Sequence, residues 1–189
     1  MLPTHRVLLL PGWRNSGSAH WQSRWQTLYA QQGFSRVEQA DWDWPLRGDW
    51  MARLDEAVLS DPSPALLAAH SLGCQLVAAW AGHSRHTHRV VGALLVAPPD
   101  TARADTPPQL ASWRLIARTL LPFAAQLVYS RNDPFCAPER ALAMAANWGA
   151  AAHDLGDAGH INADSGLGDW PQGLQWLQSL YATKRPASA

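Results

Sequence analysis

The sequence predicts an α/β protein in which about six mostly parallel strands form a sheet flanked by helices on both faces. Three observations predict it. Short apolar runs and helix-patterned segments alternate along the chain. Four of the runs are nearly continuous in Val, Leu and Ala, as strands covered on both faces are. Polar or small residues stand at the carboxyl ends of the runs, where open parallel sheets keep their ligand crevice.

The strand candidates are residues 6–10, 36–40, 65–70, 90–97, 125–130 and 151–155. The second and sixth are the more polar pair and read as edge strands. Helical patterning covers residues 20–32, 50–59, 72–82, 109–119, 138–148 and 171–182. Such alternation implies right-handed crossovers and a doubly wound sheet. The 189 residues are 47% hydrophobic and 16% charged, which supplies a core and excludes a disordered chain. No long polar linker interrupts them, so residues 1–183 read as one domain and residues 184–189 as a tail that frays.

Charge and cysteine usage narrow the function classes. Fifteen basic residues balance fifteen acidic ones, so no summed field draws in nucleic acid or an anionic membrane. Val7 to Leu10 is too short to span a bilayer, and no signal-peptide cleavage pattern follows it, so a cytoplasmic location is expected. Cys74 and Cys136 have no zinc-type or CxxC spacing and read as small buried fillers in a reducing compartment. His83, His86 and His88 lie at a polar helix end with no neighbouring carboxylate or cysteine in the sequence, and read as solvated rather than metal-binding. Neither a cofactor nor a metal is expected; the expected partner is a small-molecule substrate.

The chemistry is concentrated at the end of the third run. Leu66-Leu67-Ala68-Ala69-His70-Ser71-Leu72-Gly73 is an apolar strand leading through small-x-Ser-x-Gly into a helix, the pattern of the nucleophile elbow of α/β-hydrolases. A serine on so sharp a turn takes a strained backbone, and the residues two before and two after must be small; Ala69 and Gly73 are. The turn also puts the Leu72 N–H at a helix N-terminus, ready for a developing oxyanion. In this fold the acid and then the histidine follow the serine along the chain, after later strands. Asp133 follows the fifth run and His160 the sixth. A serine hydroxyl needs a base within hydrogen-bond reach, which His160 supplies near neutral pH, and Asp133 fixes the imidazole tautomer. Asp100 and Asp157 are lesser candidates for the acid.

The loop Leu10-Pro11-Gly12-Trp13-Arg14-Asn15-Ser16-Gly17 follows the first strand, and Trp13 is the candidate for the second oxyanion N–H. A bland use, turning the chain and capping the next helix, fits Asn15, Ser16 and Ser18 equally well. Asn15 and His20 are candidates for the pocket wall. Trp42 and Trp44, two of eleven tryptophans, either join them there or cover the sheet edge.

Taken together, Pro11-Gly12-Trp13, Asn15-Ser16-Gly17, His20-Trp21-Gln22, His70-Ser71-Leu72-Gly73-Cys74, Asp133-Pro134-Phe135-Cys136 and Gly159-His160-Ile161-Asn162 resemble one family. It is the small serine hydrolases typified by retinoblastoma-binding protein nine and its bacterial relatives. The resemblance spans most of the chain. It implies a lidless minimal α/β-hydrolase fold with Ser71, Asp133 and His160 as a triad, and it implies no particular substrate. A retinoblastoma-type partner is not carried over. The nearest stretch to Leu-x-Cys-x-Glu, Leu72-Gly73-Cys74-Gln75-Leu76, lacks the glutamate and is expected beneath the elbow.

Three functions remain open on these residues. The first is a hydrolase of an ester, thioester or amide working through acyl-Ser71. The others are an acyltransferase on the same triad and a silent binding module using the same crevice. A complete triad argues against the last, since a binder has no need of a base beside a strained serine. No oligomeric state follows from the motifs.

Overall fold

Burial decides which strands are central. In the computed structural model, which describes residues 6–182, β3 (Ala65–His70) and β4 (Val90–Val96) are buried at every position and pair at the middle of the sheet. β1 (Arg6–Leu10) and β5 (Ala124–Tyr129) flank them, and the short β2 (Phe34–Arg36) and β6 (Ala151–Asp154) close the edges. The strand order is β2-β1-β3-β4-β5-β6 and every pair is parallel.

Side chains alternate across the sheet and make two cores. Leu8, Leu10, Leu67, Leu95 and Leu127 pack beneath α2 (Arg47–Leu59), α3 (Leu72–Ala81) and α4 (Pro138–Trp148). Val7, Leu9, Leu66, Leu94 and Val128 pack beneath α1 (Trp21–Leu28) and α5 (Pro171–Ala182). Tryptophan fills much of both cores. Trp21, Trp25, Trp50, Trp80, Trp113 and Trp148 are fully buried, and each indole N–H donates to an acceptor elsewhere in the chain. A buried indole brings a large apolar area and one obligatory donor. Each of these six therefore packs the core and also ties down a loop or a neighbouring helix. No helix among the described residues is long and apolar enough to cross a membrane.

The structure corrects several sequence expectations. The second strand lies at Phe34–Arg36, not at 36–40. Gly33, at φ 81°, turns the chain so that Phe34 enters the core, and the pairing ends when the Val37 N–H reaches the Leu9 carbonyl. α1 starts at Trp21, with His20 as its N-cap, and α2 starts a turn earlier than expected, at Arg47. The helix expected over 109–119 is only a 3-10 turn, Pro108–Trp113. The Trp113 indole donates to the Pro45 carbonyl and the Thr101 hydroxyl to the Trp113 carbonyl, and the chain leaves the turn with Leu115 77% exposed. The tail expected at 184–189 lies outside the described residues.

Between β4 and β5 the described chain holds only that 3-10 turn and irregular segments, and no lid covers the sheet's carboxyl edge.

Candidate active site

β3 delivers Ser71 to the crevice in a conformation few non-glycine residues adopt. Its φ of 53° and ψ of −123° place it at the sharp turn into α3, for which it is the N-cap. The Ser71 N–H is held by the Val96 carbonyl at 2.9 Å. Two glycines make the approach of backbones possible. A Cβ on Gly73 would stand 2.3 Å from the Leu10 carbonyl oxygen, and one on Gly12 would stand 2.7 Å from the Ser71 Cβ. Elbow and first loop are thus packed backbone to backbone.

That first loop is itself strained and tied. Arg14 and Asn15 have φ of 64° and 66°. The Arg14 N–H donates to the Trp42 carbonyl, and the Trp13 indole donates to the Asp43 carbonyl. Arg36, at the end of β2, donates to Asn15 Oδ1 at 2.6 Å and to the Ser16 carbonyl at 3.1 Å. Among the described residues, neither the Trp13 nor the Leu72 backbone N–H donates to a protein acceptor.

Ser71, His160 and Asp133 converge from three strand ends. His160 Nε2 lies 2.9 Å from Ser71 Oγ, and His160 Nδ1 lies 2.9 and 3.0 Å from the two Asp133 carboxylate oxygens. The Asp133 side chain is 3% exposed and also accepts the Phe135 N–H. The loop that carries His160 is anchored on every side. Asn132 Oδ1 accepts the Gly159 N–H, Ser130 Oγ accepts the Ala158 N–H, and the Trp21 indole donates to the Ile161 carbonyl. His70 Nε2–H donates to the His160 carbonyl at 2.9 Å, so the residue before the serine holds the backbone of the histidine.

The other sequence candidates fall differently. Asp100 is engaged by Arg140 at 2.9 and 3.1 Å, and Asp133 is the carboxylate that reaches His160. Trp13, Asn15 and His20 line a cavity of about 230 Å³ together with Ser71, His160 and Asn162. Trp42 and Trp44 do not; Trp42 stacks edge-on against Trp50, and Trp44 is 56% exposed. His86 pairs with Asp55 of α2, a carboxylate that sequence distance conceals. Arg36, His70 and Asn162 carry contacts to the site that the sequence reading misses. The only available signals were the placement of His70 beside Ser71 and of Asn162 two residues after His160.

The histidines behind the site are neutral. Burial, with Arg36 and His160 nearby, pushes His20 down to about 3, and burial beside His20 and His160 pushes His70 well below its usual 6.5. In the unfolded chain both protonate near pH 6.5, so below that pH the unfolded state binds more protons and acidification favours it. Stability should fall as pH drops from about 6.5, by about 1.4 kcal/mol per pH unit for each histidine. Denaturant midpoints measured from pH 7 to pH 5, above the carboxylate range, check this. Replacing His70 with Gln should flatten the slope, and a pH-independent midpoint would contradict it.

A parallel sheet with a strained serine at a strand-to-helix turn, and a histidine loop after a later strand, defines an α/β-hydrolase fold. The serine hydrolase family model matches residues 7–179, and the chain belongs to that family. Among solved structures, it is similar to a proposed YdeN-like hydrolase from Pectobacterium atrosepticum, with 28% identity and a TM-score of 0.83 over 96% of this chain and 92% of that one. It is also similar to the ydeN gene product of B. subtilis, with 18% identity and a TM-score of 0.72 over 94% and 99%. A monoacylglycerol lipase from Paleococcus ferrophilus shares the fold at 12% identity and a TM-score of 0.67 over 92% and 94%. No curated protein matches the chain in sequence.

Proposed function

We propose that the protein cleaves an ester, thioester or amide of a small acyl substrate through an acyl-Ser71 intermediate. The observation that carries the reading is the single file of Asp133, His160 and Ser71, with both links at 2.9 Å. In that arrangement Ser71 Oγ attacks the acyl carbonyl carbon as its proton passes to His160 Nε2. The oxyanion is held by the Leu72 and Trp13 N–H groups. His160 then returns the proton to the leaving group as its bond to the acyl carbon breaks. Water, deprotonated by His160, attacks the acyl carbon and releases the acid, regenerating Ser71. Asp133 keeps the Nδ1–H tautomer and stabilises the imidazolium that forms twice in the cycle. The buried, unpaired Cys74 and Cys136 suit a cytoplasmic setting.

Substrate size follows from the open crevice. The cavity at Ser71 is about 230 Å³, and among the described residues no element folds over it to enclose a long chain. Hydrolysis of p-nitrophenyl acetate and butyrate should exceed that of the palmitate, with no rate burst as substrate passes its solubility limit. The comparison needs detergent-solubilised esters, so that poor solubility is not mistaken for poor binding. Preference for the palmitate would overturn the small-substrate reading, and no release of p-nitrophenol from any ester would overturn the hydrolase reading.

A further inference from the structure

The cavity beside Ser71 presents three hydrogen-bond donors that the protein itself does not use. His20 is the innermost. Its Nδ1 accepts the Gln22 N–H at 3.1 Å, so in the neutral ring the proton sits on Nε2. That Nε2 is buried, in a residue only 4% exposed, and has no hydrogen-bond partner among the described residues. The nearest ring, that of His70, lies at 4.5 Å and edge-on, and offers no hydrogen bond. Buried N–H groups are nearly always paired, so this one calls for an acceptor from outside the chain.

Asn15 and Asn162 add to it. Asn15 Oδ1 accepts from the Ser16 N–H and from Arg36, and Asn162 Oδ1 accepts from the Asp164 N–H. Backbone amides and guanidinium groups only donate, which settles the orientation of both side-chain amides. Each NH2 group is left without a protein acceptor among the described residues. All three residues line the cavity that also holds Ser71 and His160, and no Asp, Glu, Lys or Arg lines it. Burial keeps His20 neutral, so its contribution is a donor and not a cation.

Five of the eleven lining residues, Gly12, Trp13, Asn15, Ser16 and Gly17, belong to the loop that carries the proposed oxyanion donor Trp13, so the cavity lies within reach of a group attached to the carbonyl carbon. We propose that this cavity is an acyl subsite for a short acyl group carrying an uncharged oxygen acceptor, an ether, hydroxyl or keto oxygen close to the scissile carbonyl. His20 Nε2–H and the Asn15 and Asn162 amides are the donors that select it. The inference rests on the acyl-Ser71 reading and names its substrate class.

Two esters of equal length test it: p-nitrophenyl methoxyacetate and p-nitrophenyl butyrate, which differ by an oxygen in place of one methylene. The ratio of their kcat/KM values is divided by the ratio of their hydroxide-catalysed rates, which removes the intrinsic reactivity of the alkoxy ester. The corrected ratio should favour methoxyacetate by about tenfold, the effect of one well-placed hydrogen bond. It should fall towards unity in His20→Phe, which keeps the ring and loses the donor. Because that change also removes the cap on the Gln22 N–H, Asn162→Asp provides the second variant. It preserves the oxygen that the Asp164 N–H needs while replacing the donor with an acceptor, and it should lower the same ratio. A corrected wild-type ratio near one, or a ratio unmoved in the folded variants, would overturn the proposal. No turnover of either ester, with no labelling of Ser71 by a fluorophosphonate, would overturn the hydrolase reading and this inference with it.

Discussion

Ser71→Ala should abolish fluorophosphonate labelling and lower ester turnover by about 10⁶-fold, the scale at which loss of a nucleophile collapses a serine triad. Only an activated hydroxyl attacks such phosphorus readily, and Ser71 is the serine whose Oγ lies 2.9 Å from an imidazole nitrogen. The substitution is clean. Alanine has a Cβ as serine does and meets the same strain at φ 53°, and the Ser71 side chain makes no capping bond to α3. A folded Ser71→Ala protein that still takes up the probe would place the nucleophile elsewhere. Intact-mass analysis after labelling, with peptide mapping of the modified residue, reads the result directly.

Asp133→Asn should lower turnover by up to about 10⁴-fold with little change in fold. The amide oxygen still accepts the Phe135 N–H, so the turn after β5 survives. What is lost is the carboxylate against Nδ1. An amide NH2 facing that nitrogen favours the tautomer with its proton on Nε2, and His160 then has no lone pair for the Ser71 hydroxyl. Asp100→Asn is the control, because Asp100 is held by Arg140 and not by His160. It should stay within a few-fold of wild type. Near-full activity in Asp133→Asn, with collapse in Asp100→Asn, would move the acid to the neighbouring strand end.

Burial on both faces is what makes the central strands legible. It demands continuous apolar runs, and residues 6–10 and 65–70 are read to the residue because nothing polar interrupts them. β2 escapes because its three residues contain one buried side chain, Phe34, while Val37 imitates a strand just beyond it. Residues 109–119 mislead for a related reason. Leu110, Trp113 and Ile116 recur at helical spacing, yet the Trp113 indole bonds to the Pro45 carbonyl and the Thr101 hydroxyl to the Trp113 carbonyl, contacts no local pattern encodes. At the site, the meeting of Ser71, Asp133 and His160 is legible because each follows a strand end on the same edge of the sheet. Arg36, His70 and Asn162 cannot. Their use depends on which loops meet across the crevice, and that is decided only when the sheet closes.

The strands that carry the site differ in how firmly they are held. Ser71 hangs from β3, buried at all six positions, whereas His160 follows β6, a four-residue edge strand with three exposed residues. Opening free energies rise from exposed edges towards the core, so β6, the exposed edge strand from which the anchored His160 loop continues, belongs to the part of the molecule that opens first. Such an opening takes His160 away from Ser71 while Ser71 stays in place. On the proposed mechanism, heat inactivation should then begin below the global melting temperature, with amide protons of β6 exchanging faster than those of β3.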